Sequence, residues 1–152
     1  DENQENFEFV QENHSQSIRG VLRGLHFQRE PHAQAKLVSC ISGTIFDVVL
    51  DLRQESKTFG QWAGIYLSSK KLNQLWIPKG FAHGFLTLSN IAEVNYKTTD
   101  FWHKEYEMNI LWEDKSINIK WPLENLKSDV VINQKDKNAK RLSEINKNFL
   151  FK

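Results

Sequence analysis

Short apolar runs separated by turn signals recur along the chain from Val21 onward. The runs are rich in β-branched and aromatic residues, and segments such as Ser42-Gly43-Thr44, Lys79-Gly80 and Ser89-Asn90 provide the turns between them. We predict strands at residues 37–41, 44–52, 62–67, 74–77, 84–88 and 92–98. Short strands at this spacing are typical of a β-sandwich or a β-barrel.

The alternation of apolar and polar positions is clearest at residues 93–97, which read Glu-Val-Asn-Tyr-Lys. Successive side chains of a strand point to opposite faces, so Val94 and Tyr96 share one face. Because Val94 is apolar, we predict that this face is the inner one and that Tyr96 points into the barrel.

The C-terminal part has a different pattern. Helical periodicity is weak until residues 138–145, which favour a short helix. Residues 1–6 and 146–152 are mostly polar, and we expect both ends to fray. The chain of 152 residues has no internal repeat or linker, so we predict a single domain spanning residues 1–152.

The composition indicates which classes of partner and which cellular location to expect. The 20 Lys and Arg residues nearly balance the 19 Asp and Glu residues, so no bulk field draws the chain onto nucleic acid or an acidic membrane. No apolar run approaches the roughly 20 residues that span a bilayer, and the acidic start lacks the features of a signal peptide. We expect a cytoplasmic protein with no nucleic-acid or membrane partner. The single cysteine, Cys40, lies in an apolar run and is expected to be buried rather than nucleophilic.

Two histidine-containing segments suggest one polar pocket inside the barrel. They are residues 23–28, Arg-Gly-Leu-His-Phe-Gln, and residues 78–85, Pro-Lys-Gly-Phe-Ala-His-Gly-Phe. The second is similar to the Pro-x-Gly-x-x-His spacing of cupin barrels, whereas the first has one histidine where metal-binding cupins have a His-x-His pair. Only Gln28 and distant acids could complete a metal shell, and there is no Gly-x-Gly-x-x-Gly turn. We predict no metal and no cofactor, with histidine as an acid or base.

With the further segments Lys36-Leu37-Val38 and 46–53, the chain closely resembles the dTDP-4-dehydrorhamnose 3,5-epimerase family of nucleotide-sugar enzymes. The resemblance runs from about Phe9 to about Leu142. It implies an all-β fold, a cupin-like jelly-roll barrel with a short C-terminal helical segment. It also implies a homodimer whose subunits cover each other's edge strands. The family has further strands ahead of the position matching Phe9, and we expect this chain to begin after them.

The resemblance also implies a reaction, the inversion of C3 and C5 of dTDP-4-dehydro-6-deoxyglucose beside a 4-keto group that acidifies both carbons. Inversion needs a base, a group that stabilises the enolate oxygen, and an acid on the opposite face of the sugar. In the family, the residue matching His26 is the base, that matching Tyr96 is the proposed acid, and that matching Lys36 faces the oxygen at C4. On the residues alone, each also fits a structural role, and Lys36 an outward, solvated position.

Further site residues follow from the same resemblance. Asp136 matches an acid that pairs with the catalytic histidine, and Asp47, on a strand predicted to face inward, is the second candidate for that role. The positions implied for substrate binding are Gln11, Asn13, Arg23, His83, Trp102, Glu107 and Lys135. Trp102 stands where the family usually has a tyrosine that stacks on thymine. Its segment, residues 101–104, lacks the family's proline, which should loosen the loop.

Three other functions stay open at this stage. A single-carbon epimerase would use the same pocket on a related 4-keto sugar nucleotide. A non-catalytic cupin-like sugar-binding module would bind ligand without proton exchange, and an outward Tyr96 or Lys36 would favour it. A metal-dependent cupin oxygenase ranks last, because the ligand set is poor.

Overall fold

The structure is a computed structural model that describes residues 7–152. This part of the chain forms ten β-strands and one short α-helix. The strands are β1 (Gln11–Ile18), β2 (Val21–Gln28), β3 (Lys36–Ser42), β4 (Thr44–Asp51), β5 (Trp62–Ser68), β6 (Gln74–Ile77), β7 (Phe81–Thr87), β8 (Ile91–Thr98), β9 (Glu107–Asn109) and β10 (Val131–Ile132). The helix, α1, spans Gln134–Lys137.

The strands form two sheets. One has the order β1-β8-β3-β6, and the other has the order β10-β2-β7-β4-β5 with β9 also pairing with β2. This alternation of strands between two sheets is a jelly roll, which confirms the predicted all-β, cupin-like fold. All six predicted strands are present. Strands β1, β2, β9 and β10 are not among the predicted ranges.

An inner core lies between the two sheets. It is formed by strands of both sheets, with Val38 and Val94 from one and Ile45 and Phe85 from the other. Cys40 belongs to this core as a buried free thiol, as the sequence predicts. Burial raises the pKa of this thiol, which disfavours its nucleophilic thiolate form.

A second core covers the outer face of the sheet that contains β2, β4 and β7. Leu22, Val48 and Leu50 from this sheet pack there with C-terminal residues such as Trp121 and Phe151. Strand β4 is therefore buried on both faces, which explains why it reads as an apolar run. The outer core leaves the inner face of the same strand free to carry Asp47 toward the barrel interior.

The predicted C-terminal helix is right in kind and wrong in place. The helix lies at residues 134–137 and is capped by Asn133, whose side chain accepts a hydrogen bond from the Asp136 N–H at 2.8 Å. Residues 138–145 do not continue it, because Lys140 forms a bridge to Ile110 and its carbonyl accepts from Leu111 N–H. They contain a single 3₁₀ turn, Leu142–Glu144. No helix in the described part of the chain is long and apolar enough to cross a membrane.

The C-terminal end is held against the barrel, contrary to the predicted fraying. Phe151 is buried in the outer core, forms a bridge to Arg53 and accepts a hydrogen bond from Gln54 N–H at 2.8 Å. These contacts fix the end of the chain. The other predicted frayed segment, residues 1–6, lies outside the described residues.

Strands β2 and β7 approach closely beside the candidate base. Gly24 has a φ of +118°, and a Cβ built on it would lie 2.6 Å from Gly84 Cα and 2.7 Å from His83 O. The pairing shifts register between Arg23 and His26, where His26 then pairs with His83. Glycine at position 24 is therefore required by both the backbone angle and the space.

We expect Gly24→Ala to lower the free energy of unfolding by about 3 kcal/mol, because alanine is strained at this positive φ and its Cβ would overlap the backbone of His83 and Gly84. For a chain of this size that corresponds to a fall in Tm of roughly 6–12 °C, measurable by thermal denaturation. Gly60→Ala is the matched control. Gly60 also has a positive φ, +73°, but the nearest atom to its Cβ would be 3.8 Å away. An equal loss in both variants would refute the steric argument.

Candidate active site

A polar cleft lies between the two sheets. It consists of two cavities of about 310 and 230 Å³ that share His26, Lys36, Tyr96 and Glu107. Lys36 and Tyr96 come from β3 and β8 of one sheet, and His26 and Glu107 come from β2 and β9 of the other. The cleft is therefore lined by functional groups from both sides.

His26 forms a hydrogen bond with Asp136, at 2.6 Å between Nε2 and Oδ1. The Asp136 side chain is fully buried. Its Oδ1 also accepts from Asn109 Nδ2 at 2.6 Å, and its Oδ2 accepts from Gly24 N–H at 3.1 Å and Asn133 Nδ2 at 2.9 Å. Because the ionised carboxylate of Asp136 can only accept hydrogen bonds, His26 must carry its proton on Nε2. Nδ1 of the neutral ring is then the nitrogen with a free lone pair.

The pKa of the Asp136 carboxyl lies below its ordinary value. Burial alone raises this pKa, but the hydrogen bond and charge of His26, together with the hydrogen bonds from Gly24 and Asn133, lower it by more. Asp136 is therefore an anion at neutral pH. An anion at this position stabilises the imidazolium that forms when His26 accepts a proton.

His83 has a different partner. Its Nε2 lies 2.9 and 3.0 Å from the two carboxylate oxygens of Asp47, and both side chains are buried. His83 pairs with His26 across strands β2 and β7 and lines the smaller cavity. Two acids were predicted as possible partners of His26. Asp136 is the one that bonds to His26, and Asp47 bonds to His83 instead.

Lys36 points inward. Only 8% of it is exposed, which removes the outward alternative, and its Nζ lies 5.9 Å from the centre of the Tyr96 ring. Among the ion pairs formed within residues 7–152, none includes Lys36. Burial lowers the pKa of this ammonium to about 8, and the charges of Glu107 and Asp47 partly oppose the change. At neutral pH Lys36 is thus mostly a cation held in the cleft.

Tyr96 lies on the inner face of β8, as the alternation predicts. It pairs in register with Asn13 of β1 and Val38 of β3, and it lines both cavities. Burial raises the pKa of its phenol, Arg23 lowers it, and Glu107 raises it again, so the net shift is upward. The phenol stays protonated at neutral pH and can donate a proton, from the sheet opposite that of His26.

Six of the seven predicted substrate-binding residues line the same cleft. The larger cavity is lined by Gln11, Asn13, Trp102 and Glu107, and the smaller one by Arg23, His83 and Glu107. Lys135 lines neither cavity and forms an ion pair with Glu107. Trp102 is more than half exposed, so its indole face is available to a ligand.

Gln28 is a site residue that the sequence suggested only as a weak metal ligand. It is 4% exposed, donates to the carbonyls of His32 at 2.7 Å and Phe101 at 3.0 Å, and accepts from His103 N–H at 2.6 Å. These bonds fix the loop that carries Trp102, which the missing proline was expected to loosen. Gln28 follows His26 by two positions on β2, so the period of the strand could have identified it.

Ser15 also escaped prediction. Its Oγ is buried without a hydrogen-bond partner in the described part of the chain, and the residue lines the smaller cavity beside Arg23. Strand β1 turns Asn13, Ser15 and Ser17 inward while their neighbours are exposed. The period of two is present in the sequence, but polar residues occupy the inner positions.

The chain is similar to known proteins of one family. The family model described as dTDP-4-dehydrorhamnose 3,5-epimerase matches residues 1–144. The enzyme of that name from Shigella flexneri is 60% identical over 127 residues, which are 83% of this chain and 70% of that protein. The one from Escherichia coli K12 is 52% identical over 137 residues, 90% of this chain and 72% of that protein.

A solved structure is also similar. It is the dTDP-6-deoxy-D-glucose-3,5-epimerase of Legionella pneumophila in complex with dTDP-4-keto-L-rhamnose, with a TM-score of 0.90 and 48% sequence identity. The match covers 95% of this chain and 75% of that chain. The similarity therefore extends over both sheets.

Proposed function

Since the chain belongs to the dTDP-4-dehydrorhamnose 3,5-epimerase family, we propose that its cleft inverts C3 and C5 of dTDP-4-dehydro-6-deoxyglucose to give dTDP-4-dehydro-L-rhamnose. The protein is an isomerase. The observation that carries the proposal for this chain's own residues is the position of His26, with its Asp136 partner, across one cleft from Tyr96. Inversion at carbon needs a base and an acid on opposite faces of the sugar, and two facing sheets supply them.

His26 starts the reaction. Its Nδ1 removes the proton from C3 or C5, and the electrons of the broken C–H bond form a C=C bond as the 4-keto oxygen becomes an enolate. The Lys36 ammonium and the His83 ring stabilise the charge on that oxygen. Asp136 stabilises the imidazolium and fixes the orientation of the ring.

Tyr96 completes the inversion. Its phenol gives a proton to the carbon from the face opposite His26, and the enolate electrons return to the C=O bond. The phenolate and the imidazolium then regain their starting forms by proton exchange with water, which readies the site for the second carbon. Each step uses a side chain of this chain.

The nucleotide part lies toward Trp102. The indole stacks on the base, and Arg23, Gln11, Asn13 and Lys135 bind the diphosphate or the groups next to it, with Glu107 beside the nucleotide. Gln11 supports this arrangement structurally, because its Oε1 accepts from Trp102 N–H at 2.9 Å and its Nε2 donates to Asn13 at 2.9 Å.

Proton exchange gives the direct test. In deuterium oxide, we expect the protein to exchange both the C3 and the C5 protons of dTDP-4-dehydro-6-deoxyglucose, because each abstracted proton is replaced from solvent-exchanged groups. Loss of the two ¹H NMR signals, followed over time, measures the reaction at each carbon. A sample without protein is the control for spontaneous exchange beside the ketone.

The pattern of exchange also separates the alternatives. Exchange at one carbon would identify a single-carbon epimerase, and binding without exchange would identify a non-catalytic sugar-binding module. The inward positions of Lys36 and Tyr96 count against the second of these.

We also propose that the protein is a cytoplasmic homodimer. Strands β1 and β6 are the edges of one sheet, and edge strands of small barrels are usually covered. Phe7 and Phe9 lie exposed against Trp76 of β6, at 4.7 and 6.2 Å between ring centres, and offer an apolar surface beside that edge. The free thiol of Cys40 suits a reducing compartment.

A further inference from the structure

A second group of ligating side chains lies beside the cleft. His32, Asp100 and His103 each offer one ligand atom, and these atoms lie within 4.8 Å of one another. His32 Nδ1 is 3.1 Å from Asp100 Oδ2, and His103 Nε2 is 4.0 Å from Asp100 Oδ1. We propose that this cluster binds a divalent transition-metal ion of the zinc class, separate from the chemistry at His26.

The spacing suits such an ion. Zinc binds imidazole nitrogen and carboxylate oxygen at about 2.0–2.2 Å, so neighbouring ligands of a tetrahedral ion are roughly 3.3 Å apart. The pair formed by His32 and Asp100 already has this separation. The ligand atoms of all three residues lie within 4.8 Å of one another, so His103 needs to move by at most about 1.5 Å. Two imidazoles and one carboxylate form a donor set for zinc, nickel or copper rather than for magnesium or calcium, which prefer oxygen alone.

The backbone of the cluster is fixed by neighbouring side chains. Gln28 connects the His32 carbonyl, at 2.7 Å, to the His103 N–H, at 2.6 Å. Gln34 donates to the Asp100 carbonyl at 2.8 Å. The three ligands are thus held near one another without an ion, which reduces the ordering that binding requires.

The two imidazole rings lie close together, and one of them must turn before both nitrogen lone pairs can point at the same ion. The imidazoles of His32 and His103 stack at 3.7 Å between ring centres, with an angle of 28° between their planes. Glu105 Oε1 lies 3.9 Å from His103 Nδ1, beyond hydrogen-bond distance but near the second nitrogen of that ring. Asp100 and Glu105 add negative charge that favours a cation.

Metal binding has a consequence for the loop that carries Trp102. This residue lies between Asp100 and His103 in sequence and lines the larger cavity. His32 lies in the loop after β2, and Asp100 and His103 lie in the segment after β8. An ion bound to all three fixes the position of the Trp102 indole. If the function proposed above is right, the ion therefore raises the affinity for dTDP; this consequence rests on that function, but the metal site does not.

The site is tested with the full chain after removal of metal by a chelator. Titration with zinc chloride by calorimetry is expected to show one equivalent bound, and Co²⁺ in its place is expected to give a visible absorption band. We expect His103→Ala and Asp100→Asn each to weaken zinc binding at least ~10-fold. His14→Ala is the matched control, because His14 is an exposed histidine 3.3 Å from a carboxylate, that of Glu93, and belongs to no such cluster among residues 7–152.

Thermal denaturation shows whether each variant is folded, and Asp100→Asn keeps the shape of the side chain if His103→Ala proves unstable. Failure of the wild-type protein to bind zinc would overturn the proposal. So would binding that persists in both cluster variants and disappears in His26→Ala, since the ion would then lie in the cleft. Calorimetry with dTDP, with and without zinc, is separate: zinc binding without dTDP binding would count against the proposed function and leave the metal site standing.

Discussion

His26→Ala is expected to lower the rate of epimerisation by about 10³-fold, within the usual range for loss of a general base. Without the imidazole the proposed acceptor of the C3 and C5 protons is lost, and Asp136 is left fully buried behind the cleft, where it lines neither cavity. Exchange of both protons with deuterium oxide should fall together with product formation, because both depend on proton removal. The measurement is the initial rate of signal loss at each carbon by ¹H NMR.

His14→Ala is the control for removing an imidazole, since His14 is exposed on β1 and outside the cleft. Tyr96→Phe is the informative contrast. It keeps the base and removes the acid, so the proton still exchanges on the face of His26 while inversion is lost. Retention of full exchange at both carbons in His26→Ala would show that another group is the base, and His83 would be the next candidate.

Much of the fold could be predicted because the barrel strands bury apolar residues with a clear period. Strand β1 could not be predicted in this way. Its inner positions, Asn13, Ser15 and Ser17, are polar because they face the cleft or its surroundings. The strand therefore lacks the alternation of apolar and polar residues on which strand prediction depends. Strands β9 and β10, of three and two residues, are too short to show any period.

The short helix illustrates a different limit. A helix of four residues makes just over one turn, so it gives no apolar periodicity, and residues 138–145 offered a better pattern. Its cap was nevertheless visible in the sequence, because Asn133 precedes the helix directly. A search for caps rather than for periodicity would have placed the helix, and with it Asp136, correctly.

In the site, too, local features could be predicted from the sequence and long-range contacts could not. The inward direction of Tyr96 follows from local alternation, but the pairing of Asp136 with His26 joins residues 110 positions apart. No local pattern predicts such a contact, and only the resemblance to a family suggested it. The shell around Asp136, from Asn109 and Asn133, depends on where β9 and α1 lie and could not be foreseen without the fold.

Lys36→Met is expected to make the protein more stable and less active. The buried ammonium destabilises the folded state. Its pKa there is about 8, whereas the ordinary pKa of a lysine is 10.5. This difference corresponds to about 3 kcal/mol, and methionine fills similar space without a charge. We expect a rise in Tm of roughly 6–12 °C near neutral pH. The loss of a preorganised charge at the enolate oxygen should lower the rate by about 10²–10³-fold.

The dependence on pH follows from the same shift. Between pH 8 and 10.5 the unfolded chain binds more protons at Lys36 than the folded chain does, so the wild-type protein gains stability as the pH rises through this window. The advantage of Lys36→Met is therefore full below pH 8 and is lost by about pH 10.5. Epimerase activity of the wild-type protein should fall above pH 8 as the ammonium loses its proton, and the variant should lack this step.

Denaturant unfolding and NMR rates, measured on the same samples across this pH range, test both parts. Lys97→Met is the control, because Lys97 is exposed on β8 and pairs with Leu37, next to Lys36. A stability difference that does not change with pH would mean that Lys36 is not a buried cation. Full activity in Lys36→Met would remove it from the reaction. Stability gained together with activity lost would show that the fold keeps an unfavourable charge because the enolate needs it.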